Sequence, residues 1–255
     1  MKKLSYTQKS CLSKAGKLMY ETGMLRPGSR IGIAVSGGVD SFVLLQIMRL
    51  QRIRLPFSVQ IMAIHVNPGF DPLNHWPLRD WLQEKGVAGH LEVGDMGPRA
   101  HSSENRKKSA CFFCSWRRRK RLFKLVKHYG LTHIALGHNA DDLVQNFFLN
   151  LSYAGRVEAM SSKQEFFGGE FQLIRPLLLV QKREIRKAAR EWQLPIWSNP
   201  CPTKDQTKRT EAADWVQDYT RGNKKMRKNI YSALTRWQME QDKLAADSMG
   251  NVGEE

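Results

Sequence analysis

Ile31-Gly32-Ile33-Ala34-Val35-Ser36-Gly37-Gly38-Val39-Asp40-Ser41 is the stretch that decides the fold class. It reads as an apolar strand that runs into a glycine turn and then into a helix from Val39 to about Gln51. Gly37 and Gly38 can take backbone angles closed to other residues, so successive N–H groups can curl round a phosphate with no Cβ in the way. The helix that begins there adds the positive end of its dipole, and Ser36 and Ser41 offer hydroxyls to the same anion. Asp40 would be misplaced beside bare phosphate and makes sense with a Mg²⁺ ion between them. Neither Gly-x4-Gly-Lys-Ser/Thr nor Gly-x-Gly-x-x-Gly occurs in the chain, so this is neither a Walker loop nor a dinucleotide fingerprint.

Outward from this turn, strands and helices alternate. Strands are expected at Arg30 to Val35, Val59 to Val66, near Gly89 to Val93, Thr132 to Leu136 and Phe171 to Ile174. Helices are expected at Gln8 to Thr22, Leu78 to Lys85, Trp116 to His128, Asp141 to Leu151 and Lys182 to Trp192, with Gly94 to Lys108 as loop. The pattern predicts an α/β fold with a doubly wound parallel sheet. It divides the chain into an N-terminal helical cover (1–29), a main nucleotide-binding domain (30–200) and a short helical C-terminal part (201–255). The last part carries helices near Glu211 to Tyr219 and Lys224 to Glu240 and a frayed end. Ligands of such sheets sit at the strand ends, so His65, Val66 and Asn67 are candidate neighbours of an adenine and ribose. His65 reads equally well as a packed strand residue.

Forty-one Lys and Arg against 24 Asp and Glu give a net charge of +17, which a compact fold tolerates best with a polyanion nearby. The charge is clustered: Arg106 to Lys127 holds ten basic residues and no acid, interleaved with Phe112, Phe113, Trp116 and Phe123. That is the footprint of a nucleic-acid surface. No apolar run reaches the roughly 18 to 20 residues that cross a bilayer, so no membrane role and a cytoplasmic location are expected.

Four cysteines in 255 residues are too few for a disulfide scaffold. Cys11 stands alone, whereas Cys111 and Cys114 form a Cys-x-x-Cys pair and Cys201 follows in Ser198-Asn199-Pro200-Cys201-Pro202. A redox dithiol would lack its usual βαβ context. Zinc would take the three cysteines with His133 or His138 as fourth ligand. A four-iron cluster on three cysteines would keep one iron without a protein thiolate, open to a sulfide. Asp141 and Asp142, opening a helix, are either partners for its dipole or, for Asp142, a group that handles a proton or Mg²⁺ while Asp141 caps the helix.

Ser36-Gly37-Gly38-Val39-Asp40-Ser41 resembles the PP-loop of the ATP pyrophosphatase superfamily, whose members split ATP between its α and β phosphates. Further along, the resemblance narrows to the TtcA family of tRNA 2-thiocytidine synthases, over about Thr7 to Met239. It rests on Cys111-Phe112-Phe113-Cys114 with Arg117, Arg118 and Arg119, and on Gly137-His138-Asn139-Ala140-Asp141-Asp142. Ile174-Arg175-Pro176-Leu177 and Cys201, eight residues before Arg209, complete it. The chain departs from the family's pattern at Val39, where a Lys is usual, and lacks a second Cys just before Cys201.

The resemblance implies a Rossmann-like PP-loop fold that binds Mg·ATP and carries a [4Fe-4S] cluster on Cys111, Cys114 and Cys201. Asp40 and Asp142 are the candidate catalytic acids, and Arg118, one turn after Cys114, either steadies negative charge on the adenylated base or belongs to the solvated face of a basic helix. The implied reaction adenylates a cytidine at position 32 of the tRNA anticodon loop and replaces its 2-oxygen by sulfur. The implied partners are tRNA, a cysteine desulfurase or other sulfur donor, and a second copy of the chain. Two other readings stay open: a lysidine synthase-like ligase with structural zinc, and a zinc-stabilised RNA-binding protein without catalysis.

Overall fold

The computed structural model describes residues 3–106, 109–203 and 208–250. Lys107 and Lys108 of the basic run, the side chain of Arg209 and residues 251–255 of the expected frayed end lie outside it. Six strands form one sheet in the order β3-β2-β1-β4-β6-β5. They are β1 (Arg30–Ala34), β2 (Gln60–Asn67), β3 (Ala88–Val93), β4 (His133–Ala135), β5 (Lys163–Phe166) and β6 (Phe171–Ile174). All pairs are parallel except β5 with β6. The chain winds outward from β1 in one direction through β2 and β3 and in the other through β4 and β6. The reversal between β1 and β4 opens a crevice at their C-terminal ends.

The helix after the glycine turn, α2 (Val39–Gln51), explains why the turn is held rigidly. Phe42, Val43, Leu44, Leu45, Ile47 and Met48 are at most 1 % exposed. A helix with so many buried apolar side chains is one covered on most sides; α2 lies under the sheet and is roofed by α1 (Tyr6–Glu21) and α7 (Lys182–Glu191). Ser5 caps α1 by accepting from the Gln8 backbone N–H, and the Gln8 side chain reciprocates. Lys14 of α1 reaches Glu184 of α7 at 2.7 Å. Cys11 is fully buried in this layer, and burial pushes its thiol up to about 12, so it stays a protonated packing residue.

Helix α3 (Trp76–Lys85) leads into β3 as expected, but the next segment is not all loop: a short helix, α4 (Met96–Ala100), interrupts it. The following helix α5 (Ala110–His128) begins six residues before its expected start at Trp116. Ser109 caps it by accepting from the Phe112 N–H at 3.3 Å, so Cys111 and Cys114 sit in its first turns and face one side. Helix α6 (Ala140–Leu149) ends in a π-helical turn, Asn150–Ala154. The sequence reading also missed β5, an exposed edge strand whose Lys-Gln-Glu-Phe carries no apolar alternation.

Helices α8 (Lys208–Tyr219) and α9 (Lys224–Gly250) close over α6, where Val216 and Tyr231 pack on Ala140 and Val144. Helix α9 runs past its expected end at Glu240. Among the described residues, no helix is long and apolar enough to cross a membrane.

Candidate active site

The glycine turn is built as the strand-turn-helix order requires. Gly37 has φ +91, a left-handed angle, and Gly38 is the N-cap of α2 with no side-chain cap over the exposed N–H groups. Ser41 ties the turn together: its Oγ donates to the Gly38 carbonyl at 2.8 Å and accepts from the Ser36 N–H at 3.1 Å. A Cβ on Gly37 would stand 2.3 Å from the ring of Trp197, and the Trp197 backbone N–H donates to the Gly37 carbonyl at 3.0 Å. Trp197 thus covers the back of the turn, a role the sequence gives no signal for.

Asp40 sits in the first turn of α2 and is held from two other elements. Asn139, at the entrance of α6, donates its amide to one Asp40 oxygen at 3.2 Å, and Lys182 of α7 donates to the other. A Cβ on Gly137 would approach the Asp40 backbone to 3.0 Å, so this glycine lets the strand end of β4 close on the turn. Lys182 went unnoticed in the sequence. It places an ammonium beside the turn from a distant helix, where Val39 supplies none.

The paired acids divide their work differently from the expected assignment. Asn139, not Asp141, caps α6 by accepting from the Asp141 and Asp142 N–H groups at 2.9 and 3.3 Å. Asp142 completes the capping box, one of its oxygens accepting from the Asn139 N–H at 3.0 Å, while its side chain lines the cleft. Asp141 instead accepts from the Lys182 N–H at 2.7 Å and from the Tyr231 hydroxyl at 2.8 Å, which joins α6 to α7 and α9.

His65 is turned away from the cleft. Side chains alternate along β2, so Ile64 and Val66 line the cleft and His65 faces the opposite side. Its Nδ1 lies 2.7 Å from the Val35 carbonyl and its ring packs edge-on to Trp197 at 5.6 Å. Burial lowers its pKa to about 4, so it is a neutral strut beneath the turn. Fully buried, it takes the place of a packed strand residue.

The cleft itself has a volume of about 590 Å³ and lies over the C-terminal ends of β1 and β4. Ser36, Asp40, Ser41, Cys111, Arg118, His138 and Asp142 all line it. The three cysteines are brought together across 87 residues of sequence. Cys111 Sγ lies 3.4 Å and Cys201 Sγ 3.7 Å from the same Thr203 hydroxyl. Burial raises the thiol pKa of Cys114, partly offset by the cation of Arg118, and both other cysteines are near enough to act on it electrostatically. The donor set is all sulfur, which suits a soft metal.

His133 does not join them: it opens β4 at the far end of the sheet, bonded to Thr132 at 2.7 Å. Among the described residues, no three His, Cys, Asp or Glu side chains are spaced to hold a single metal ion.

Comparison with known proteins gives this geometry a family. A sequence profile described as the PP-loop domain matches residues 8–234. The tRNA-cytidine(32) 2-sulfurtransferase of Geobacter sulfurreducens is 34 % identical over 194 residues, covering 76 % of each chain. The chain belongs to the TtcA family of PP-loop proteins. A second TtcA-family relative, the tRNA-cytidine(32) 2-sulfurtransferase of Methylococcus capsulatus, is 31 % identical over 258 residues, covering 97 % of this chain and 88 % of its own. Among solved structures, the U34-tRNA thiolase NcsA from Methanococcus maripaludis, which holds a [4Fe-4S] cluster, superposes with a TM-score of 0.70 over 92 % of this chain and 84 % of its own. At 21 % identity that match speaks to the PP-loop fold. The turn from Ser36 to Ser41 and Cys111 of the Cys-x-x-Cys pair border the same cleft.

Proposed function

We propose that this protein is an ATP-dependent tRNA sulfurtransferase that adenylates a cytidine of the anticodon loop, at position 32, and replaces its 2-oxygen by sulfur. The observation that carries the reading is the cleft lined both by the anion-binding turn and by Cys111. The named activity of its relatives supports the choice of tRNA and of cytidine.

In this reading the N–H groups of Gly37, Gly38 and Val39 and the hydroxyls of Ser36 and Ser41 hold the phosphates of ATP. Asp40 would hold Mg²⁺ against them, and the Lys182 ammonium, now paired with Asp40, offers the positive charge that Val39 lacks. The base oxygen attacks the α-phosphorus, pyrophosphate leaves, and the oxygen later departs within AMP. Arg118 steadies negative charge on the adenylated base, and Asp142 takes up a proton at the cleft wall. Cys111, Cys114 and Cys201 would hold a [4Fe-4S] cluster, which with three protein thiolates supplies one iron open to a sulfide nucleophile. Sulfur would come from a cysteine desulfurase or another donor, and a homodimer belongs to the same proposal.

The test of the nucleotide chemistry is the identity of its products. Unmodified protein with tRNA should release AMP and pyrophosphate, and Asp40→Ala should abolish both while circular dichroism stays unchanged. Release of ADP and phosphate would overturn the reading.

A further inference from the structure

The groove between the C-terminal half of α5 and the β5–β6 hairpin takes no part in the reaction just described. It has a volume of about 460 Å³, and Arg119, Lys120, Lys124 and Lys127 surround it against the one carboxylate of Glu170. Glu170 itself pairs with Lys127 at 3.7 Å. The floor is aromatic: Phe123 and Phe171 meet at 5.1 Å between ring centroids, and Phe167 leans over both at 6.0 and 5.8 Å.

Phe167 is an unusual residue for its place. It stands at the hairpin tip with φ +54, a left-handed angle that favours glycine or asparagine, and it is 64 % exposed. Gly168 and Gly169 follow at φ +68 and +90, so the turn has its own permissive residues. The Phe167 ring touches Phe166 and Phe171 at the hairpin's edge, yet more than half of the residue stays in solvent at a backbone angle that costs free energy. Accessible aromatic faces inside a cationic rim are what a single strand of nucleic acid binds. Arg119 and Phe123 also line the cleft, so groove and cleft are continuous. Lys124 lies about 15 Å along α5 from Cys114 at the usual helical rise, which places the groove at a neighbouring nucleotide and not at the reacting one.

We propose that this groove is a stacking site for an unpaired base of the RNA substrate close to the base in the cleft, with Phe167 as its stacking face and the α5 lysines on the flanking phosphates. The inference rests on the tRNA reading above. Phe167→Asn keeps a residue that accepts the left-handed angle and removes the aromatic face. It should weaken tRNA binding roughly tenfold at every salt concentration, without changing the slope of log affinity against log salt, because stacking releases no counterions. Phe167→Tyr should restore the affinity, and Lys124→Gln with Lys127→Gln should make the slope shallower. Equal binding by wild type and Phe167→Asn, or a loss that Tyr does not restore, overturns the stacking site. A wild type that ignores tRNA even at low salt contradicts the tRNA reading itself, which separates the two failures.

Discussion

At Gly37 two independent constraints coincide, a left-handed angle and the ring of Trp197 within 2.3 Å of any Cβ. Gly37→Ala should therefore lower the unfolding free energy by about 2 kcal/mol, the left-handed cost with some displacement of the ring, and should abolish AMP formation. Urea titration with a product assay checks both. Asn139 is a second such residue, since it caps α6 and steadies Asp40 at once. Asn139→Ala should cost roughly 1 to 2 kcal/mol in the same titration. The cysteines divide: Ser at Cys111, Cys114 or Cys201 should lower the iron content of anaerobically prepared protein, and Ser at Cys11 should not, because Cys11 lies buried under α7. Full iron in the Cys201→Ser variant would contradict the assignment. Ser36, Gly37, Asp40 and the Cys111 and Cys114 pair stand out as candidates because their patterns are written in consecutive or closely spaced letters. Lys182 and Trp197 do not, because each reaches its partner by folding back over more than 140 residues and belongs to no local pattern.

Elements repeat the same lesson with a different cause. The apolar strands β1 and β2 and the largely buried α2 were read correctly, since burial on both sides leaves a nearly continuous hydrophobic signal. Helix α5 was started too late because its first turns carry cysteines and aromatics in place of a polar and apolar alternation, although Ser109 was available as its cap. Strand β5 was invisible as a polar edge. The basic face of α5 is also narrower than its composition suggests: Arg121 is tied to Glu92 by two contacts of 2.6 Å, and Arg117 lies over the Phe113 ring at 4.9 Å. Reversing Arg121 to Glu should thus disturb β3 more than RNA binding, whereas Lys120→Glu with Lys124→Glu should weaken tRNA binding and leave ATP binding unchanged. Filter binding against nucleotide titration distinguishes the two.

For the whole molecule, two buried imidazoles set an acid limit. Burial lowers His65 and His133 to about 4 each, with Arg26 adding to the effect at His133. As pH falls from 6.5, the unfolded chain takes up these protons before the folded one, so the stability they leave intact above 6.5 is lost between 6.5 and 4, about 3 kcal/mol for each as an order of magnitude. Urea midpoints should fall over that window, and less steeply in His133→Gln. The net charge of +17 and the cleft then act together, the charge drawing a polyanion to a surface that ends at the thiols and the phosphate turn. Whether that meeting performs sulfur transfer is settled by one measurement. Anaerobic protein with its cluster reconstituted is given unmodified tRNA, Mg·ATP and sulfide, and the tRNA is digested to nucleosides for mass spectrometry. The account predicts 2-thiocytidine in step with AMP and absent without ATP; AMP formation with every cytidine unchanged would contradict it.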